Sequence, residues 1–206
     1  MYSHAATQLP GGFAALRFEP ASEQYSDVAL VWLHGRGERG ADLSLVTKFG
    51  LPEAISKQRA QVAATVLCPQ LEHEREWEPC RVAELMAHVR QQFQRTAIIG
   101  YSLGALGICE LLAGVGSQAD LHVAIAPRMR TLPTMLQPKT HLLSICGEHD
   151  RWPSADAFYH RLRALQGRVD EVVLPNEGHF ISGVALSHPS LVSALSALGA
   201  EIRHTA

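Results

Sequence analysis

Thr96-Ala97-Ile98-Ile99-Gly100-Tyr101-Ser102-Leu103-Gly104-Ala105-Leu106-Gly107 reads as an apolar strand, a tight turn carrying one serine, and the start of a helix. Its centre, Gly100-Tyr101-Ser102-Leu103-Gly104, fits the G-x-S-x-G pattern of a nucleophile elbow. The residue types follow from the chemistry. A serine that attacks a carbonyl must project from a sharp strand-to-helix turn, so its backbone is strained and its surroundings crowded. Glycines two before and two after it remove side chains that would collide with the adjoining strand and helix. A helix opening at Ser102 also aims free N–H groups and partial positive charge at the reaction centre. Short Gly/Ser patterns also occur in ordinary strand–helix turns. Here β-branched Ile98 and Ile99 precede the turn, and Ala105, Leu106, Ile108, Leu111 and Leu112 follow it at helical spacing.

Outward from this stretch, strand and helix signals alternate. Residues 13–18 alternate apolar and polar side chains, as an edge strand does. Residues 28–33 form a continuous apolar run, expected of a central strand covered on both faces, and end in the loop-like 34–40. A helix is expected from near Pro52, where proline suits the first turn, and a strand over 61–68. Residues 81–93 have helical periodicity through Val82, Leu85, Met86, Val89 and Phe93. Strands follow over 120–126, 140–146 and 169–174, with a helix over 153–165 and a final helix within 186–202. This order predicts an α/β three-layer sandwich with a mainly parallel central sheet, as a single domain over residues 1–206. The loops after the strands carry Gly35, Ser102, Pro127, Asp150 and His179, so these residues gather at the carboxyl rim of the sheet, where open α/β sheets bind ligands.

Composition bounds the partners. The chain has 206 residues, 47% hydrophobic, with 18 basic and 20 acidic side chains and a net charge of −2. No basic stripe supports nucleic-acid binding. No apolar stretch approaches the roughly 20 residues of a membrane span, and residues 1–10 lack the pattern of a signal peptide. The spacing of Cys68, Cys80, Cys109 and Cys146 suits neither a zinc site nor a redox pair, which leaves reduced thiols in a cytoplasmic protein. The sequence carries no signal for oligomeric state.

A serine hydroxyl needs a neighbouring base, and the base needs an orienting acid. The candidate base is His179, preceded by Gly178 and fed by a strand; the candidate acid is Asp150. The order Ser102, Asp150, His179 is that of α/β-hydrolases. The chain resembles that superfamily through His34-Gly35, Gly100-Tyr101-Ser102-Leu103-Gly104, Gly147-Glu148-His149-Asp150-Arg151-Trp152-Pro153 and Glu177-Gly178-His179-Phe180. Within it the chain is similar to small carboxylesterases and acyl-protein thioesterases. Glu148 and Asp156 are competing acids; the resemblance places the acid at Asp150, and Asp156 falls within a helix. His34, His149 and His188 are competing bases. The resemblance implies a structural role for His34, and His188 precedes Pro189 at a helix start.

The oxyanion hole needs two N–H donors. The motif supplies the backbone of Leu103, and the resemblance supplies the residue after the His-Gly pair, Arg36. The run Gly35-Arg36-Gly37-Glu38-Arg39-Gly40 also resembles the His-Gly-x-Gly-Glu-Arg-Gly loop of esterases once labelled peptidases. No Gly-Lys-Ser/Thr follows these glycines, so a P-loop does not fit. Lids in the superfamily commonly enter after the strand at 120–126. The short connection 127–140 leaves no room for a large cap. Trp77, Arg128, Met129 and Trp152 are candidate pocket walls, and Arg36 with Arg128 hints at an anionic substrate group. The resulting expectation is a serine hydrolase of small ester or thioester substrates, needing no metal or organic cofactor. Its alternatives are a ligand-binding protein on the same scaffold, or a peptidase or acyltransferase using the same site.

Overall fold

The apolar runs and amphipathic stretches assemble in chain order as β1 (Ser3–Leu9), β2 (Phe13–Glu19), β3 (Val28–Leu33), α1 (Gly50–Ser56), β4 (Ala60–Val62), β5 (Thr65–Pro69), α2 (Pro79–Gln92), β6 (Arg95–Tyr101), α3 (Leu103–Ala113), β7 (Leu121–Ile125), β8 (His141–Gly147), α4 (Ala155–Ala164), β9 (Arg168–Leu174), α5 (Ser182–Ser187), α6 (Pro189–Leu198) and β10 (Ile202–His204). The computed structural model describes residues 3–20, 27–134 and 140–205. Among these residues eight strands form one sheet, in the order β1-β2-β5-β3-β6-β7-β8-β9. Its first two pairings, β1 with β2 and β2 with β5, are antiparallel. From β5 through β9 all neighbours run parallel.

Strand β3 shows why the sheet is covered on both sides. All six of its residues are buried. Val28, Leu30 and Trp32 face one apolar layer with Leu51 and Ile55 of α1 and Leu191 and Leu195 of α6. Ala29, Val31 and Leu33 face the other, with Leu85 of α2, Ile108 of α3 and Phe158 of α4. Side chains alternate across a strand, so an unbroken apolar run is the sequence of a strand with two covered faces.

Two expectations are corrected. The strand at 13–18 is not an edge: β1 pairs with it from Ser3↔Glu19 to Leu9↔Phe13 and takes the edge itself. β1 is largely exposed and holds by backbone pairing, so it carries little hydrophobic pattern. The strand expected at 61–68 is two strands. β4 leaves the main sheet to pair with β10, and β5 alone joins β3. The final helix expected within 186–202 is α6, and a separate short helix, α5, precedes it. Pro189 lacks the N–H that a continuous helix needs, so α5 stops and α6 restarts there. His188 caps the restart, its ring accepting from the Ser190 N–H at 3.2 Å.

Register places the rim loops. Leu33 pairs with Gly100, which sets the 34–40 loop beside the elbow. Gly147 pairs with Leu174, which sets the loop after β8 beside the loop after β9. Of the 127–140 connection, residues 135–139 lie outside the described residues. Among the described residues no helix is long and apolar enough to cross a membrane.

Candidate active site

Ser102 sits between β6 and α3 with φ 52° and ψ −106°, a conformation that non-glycine residues seldom adopt. The flanking glycines explain how the chain tolerates it. A Cβ at Gly104 would lie 1.9 Å from the Leu33 carbonyl oxygen, and one at Gly100 would lie 2.4 Å from the Gly104 backbone. Strand, turn and helix therefore meet backbone to backbone, and any side chain at either position would push the serine out of place. The Ser102 N–H donates to the Ile125 carbonyl at 2.9 Å, tying the turn to β7.

Two loops converge on the serine. Gly147 packs against the 177–178 backbone, where a Cβ would come within 2.3 Å of the Gly178 oxygen. The His149 N–H donates to the Glu177 carbonyl at 2.9 Å. This clasp puts the His179 ring between the serine and Asp150. Ser102 Oγ lies 2.8 Å from His179 Nε2, and His179 Nδ1 lies 2.6 Å from Asp150 Oδ2. With Nδ1–H donating to the carboxylate, Nε2 is left to accept from the serine hydroxyl. The Tyr101 hydroxyl donates to the His179 carbonyl at 3.3 Å.

The competing acids and bases lie elsewhere. Glu148 accepts from the Asn176 N–H at 2.9 Å and braces that loop. Asp156 is exposed and pairs with Arg151. His34 is fully buried; its Nδ1–H donates to the Gly35 carbonyl at 2.7 Å, and its Nε2 accepts from the Leu71 N–H at 3.0 Å. Burial lowers its pKa to about 4, so the ring is a neutral brace for the loop.

A cleft of about 500 Å³ opens over Ser102 and His179. Leu103 and Arg36 both line it. Each is the first residue of its helical turn, where a backbone N–H has no acceptor within the helix. The 3₁₀ turn at Arg36–Glu38 is held from below. The Glu38 carboxyl accepts from the Gly35 N–H at 2.9 Å and is 1% exposed, and burial pushes its pKa up to about 8.

Of the four expected wall residues, only Arg128 lines the cleft. Trp77 is buried under the 34–40 loop, donating its indole N–H to the His34 carbonyl at 3.1 Å and packing against Gly107. Met129 is buried in the core, and its carbonyl accepts from Trp152 Nε1 at 3.1 Å and from Ser154 Oγ at 2.8 Å. That bond turns the Trp152 ring against the core, with the Arg128 guanidinium 5.0 Å above it. The apolar walls are instead Phe49, Leu103, Leu106 and Phe180, with Arg130 at the rim. Phe180 is 88% exposed. An aromatic directly after the candidate base was its available sequence signal; Phe49, before α1, offered none.

Solved structures share this architecture. A thermostable esterase aligns with 95% of the chain at 13% identity and TM-score 0.62, and the chain spans 62% of its length. An esterase/lipase from an uncultured bacterium aligns with 96% of the chain and 83% of its own length, at 14% identity and TM-score 0.67. A phospholipase/carboxylesterase from Dyadobacter fermentans DSM 18053 aligns with 96% of the chain and 97% of its own length, at 17% identity and TM-score 0.54. No protein-family model matches the chain, and no curated protein matches it in sequence. At these identities the likeness shows the architecture, and the chain has the α/β-hydrolase fold.

Proposed function

We propose that this chain, with its α/β-hydrolase fold, is a serine hydrolase of carboxylic esters and thioesters, acting as one domain. The observation that carries the reading is the unbroken hydrogen-bond line from Ser102 Oγ through the His179 ring to Asp150, at 2.8 and 2.6 Å. Ser102 attacks the acyl carbon while His179 Nε2 takes its proton. Asp150 holds the ring tautomer and stabilises the imidazolium that forms. The Leu103 and Arg36 N–H groups face the developing oxyanion. The leaving alcohol or thiol takes the proton back from His179. Water, deprotonated by the same ring, then releases the acid from the acyl-enzyme. Each step uses groups of this chain alone. Free thiols at Cys68, Cys109 and Cys146, all buried, suit a reducing compartment such as the cytoplasm.

The solved esterases and lipases of the same fold support an ester as substrate. Turnover of p-nitrophenyl acetate and butyrate tests the reading. The expected result is burst or steady release of nitrophenol by the native chain, with a loss of about 10⁴-fold in Asp150→Asn, where the tautomer is wrong. A folded native protein that turns over neither ester would leave the scaffold with a binding role.

A further inference from the structure

The lining of the cleft combines two chemistries. Phe49, Leu103, Leu106 and Phe180 give its lining an apolar part, and Arg36, Arg128 and Arg130 give it a cationic part. Arg130 is already neutralised, its guanidinium reaching both Glu76 oxygens at 3.0 and 3.4 Å. Arg36 and Arg128 are exposed, and among the described residues neither is paired with a carboxylate. Arg128 is nonetheless held in place, stacked on a Trp152 ring that is itself fixed by the Met129 carbonyl. The carboxyl groups of the site offset these charges only in part. Asp150 keeps its charge but lies behind the His179 ring and outside the cleft lining. Glu38 is buried and keeps its proton at neutral pH, since its pKa is pushed up to about 8. In a chain of net charge −2 the cleft mouth is therefore locally cationic. Guanidinium groups are charged at all working pH values and suit planar or tetrahedral anions, and charges of one sign around a concave site concentrate the opposite one.

We propose that Arg36 and Arg128 select ester substrates that carry an anionic group, a carboxylate or phosphate, beside a short apolar portion that lies against Phe49 and Phe180. The proposal rests on the hydrolase reading. It leaves the chemistry of the reacting bond unchanged and adds a handle at one end of the substrate.

Two matched pairs of esters test it and locate the handle. Mono-p-nitrophenyl glutarate against p-nitrophenyl valerate places the charge on the acyl side. 4-Acetoxybenzoate against 4-acetoxybenzamide places it on the leaving group. The readout is the anionic-to-neutral ratio of kcat/KM, each value first divided by the hydroxide-catalysed rate of the same ester. In one of the two pairs the anionic member is expected to lead by about tenfold at low salt, each arginine contributing about threefold, the range of an exposed ion pair. The lead shrinks in about 0.5 M NaCl. It shrinks about threefold in Arg36→Gln and in Arg128→Gln, and falls to near one in the double variant. Equal or faster hydrolysis of the neutral member in both pairs overturns the proposal, as does a lead unchanged in the double variant. Hydrolysis of the neutral esters keeps the hydrolase reading in either case, whereas no turnover of any of the four removes that reading and the proposal with it.

Discussion

Replacing Glu38 by glutamine isolates the effect of one buried acid on the loop that lines the site. The Glu38 side chain is 1% exposed, and one oxygen accepts from the Gly35 N–H at 2.9 Å. The other, Oε1, has no hydrogen-bond partner among the described residues. Burial is the main reason its pKa rises from 4.5 to about 8; the Gly35 N–H and Lys48 pull it down, and Glu53 pushes it up. Below pH 4.5 folded and unfolded chains both hold the proton, and the contribution to stability is complete. Between 4.5 and about 8 the unfolded chain has lost the proton and the folded chain keeps it, so stability falls as pH rises. At about 1.4 kcal/mol per pH unit, the interval corresponds to at most roughly 5 kcal/mol, a large part of the ~5–15 kcal/mol margin of a domain. Glutamine keeps an acceptor for Gly35 and cannot ionise, but it buries an unpartnered amide N–H, which costs about 1–3 kcal/mol. Urea unfolding across about pH 5 to 8 should then show the variant less stable than the native chain at the acid end, and more stable at the alkaline end. A difference between the two proteins that stays constant across this range would refute the argument.

Gly104→Ala should destabilise the fold by at least about 1–3 kcal/mol, because its Cβ would stand 1.9 Å from the Leu33 carbonyl oxygen, and neither atom can move without its backbone; calorimetry reads the loss, and a variant with native Tm would contradict it. His122 is fully buried, with its pKa lowered to about 4, chiefly by burial. As pH falls from 6.5 toward 4 the unfolded chain takes a proton that the folded ring refuses, so roughly 3 kcal/mol of stability is lost, and His122→Gln should flatten the acid limb of an unfolding titration. Acetyl to butyryl esters should exceed dodecanoyl esters in kcat/KM below the micelle limit. Phe180 at the mouth of the cleft is 88% exposed, so a long chain running past it stays largely in water; a steady rise with chain length would contradict it.

The sheet was legible where burial wrote the pattern. Strand β3 is apolar at every position because helices cover both faces, and the elbow glycines are required by contacts of 1.9 and 2.4 Å. The rim loops were legible because a Gly or Pro closes or follows the strand before each: Gly35, Gly100, Pro127, Gly147 and Pro175. Strand β1 was not, since Ser3–Leu9 is held by backbone pairing and leaves its side chains exposed. The split of β4 from β5 was hidden because Val62 and Val66 are both buried apolar residues, though they sit in different sheets. The pocket walls were the least legible. Trp77 and Met129 lie next to rim loops, yet an indole N–H with a buried carbonyl partner and a thioether in the core satisfy packing as well as any ligand would. Phe49 and Phe180 reach the cleft only through the placement of loops that are far apart in sequence.

The central claim is that Ser102 carries the reaction, and the hydrolysis rate of p-nitrophenyl butyrate by Ser102→Ala tests it most directly. The nucleophile and base act as a unit. A variant that keeps the native circular dichroism and Tm should therefore lose about 10⁴-fold or more in kcat. Native hydrolysis by that well-folded variant would contradict the account.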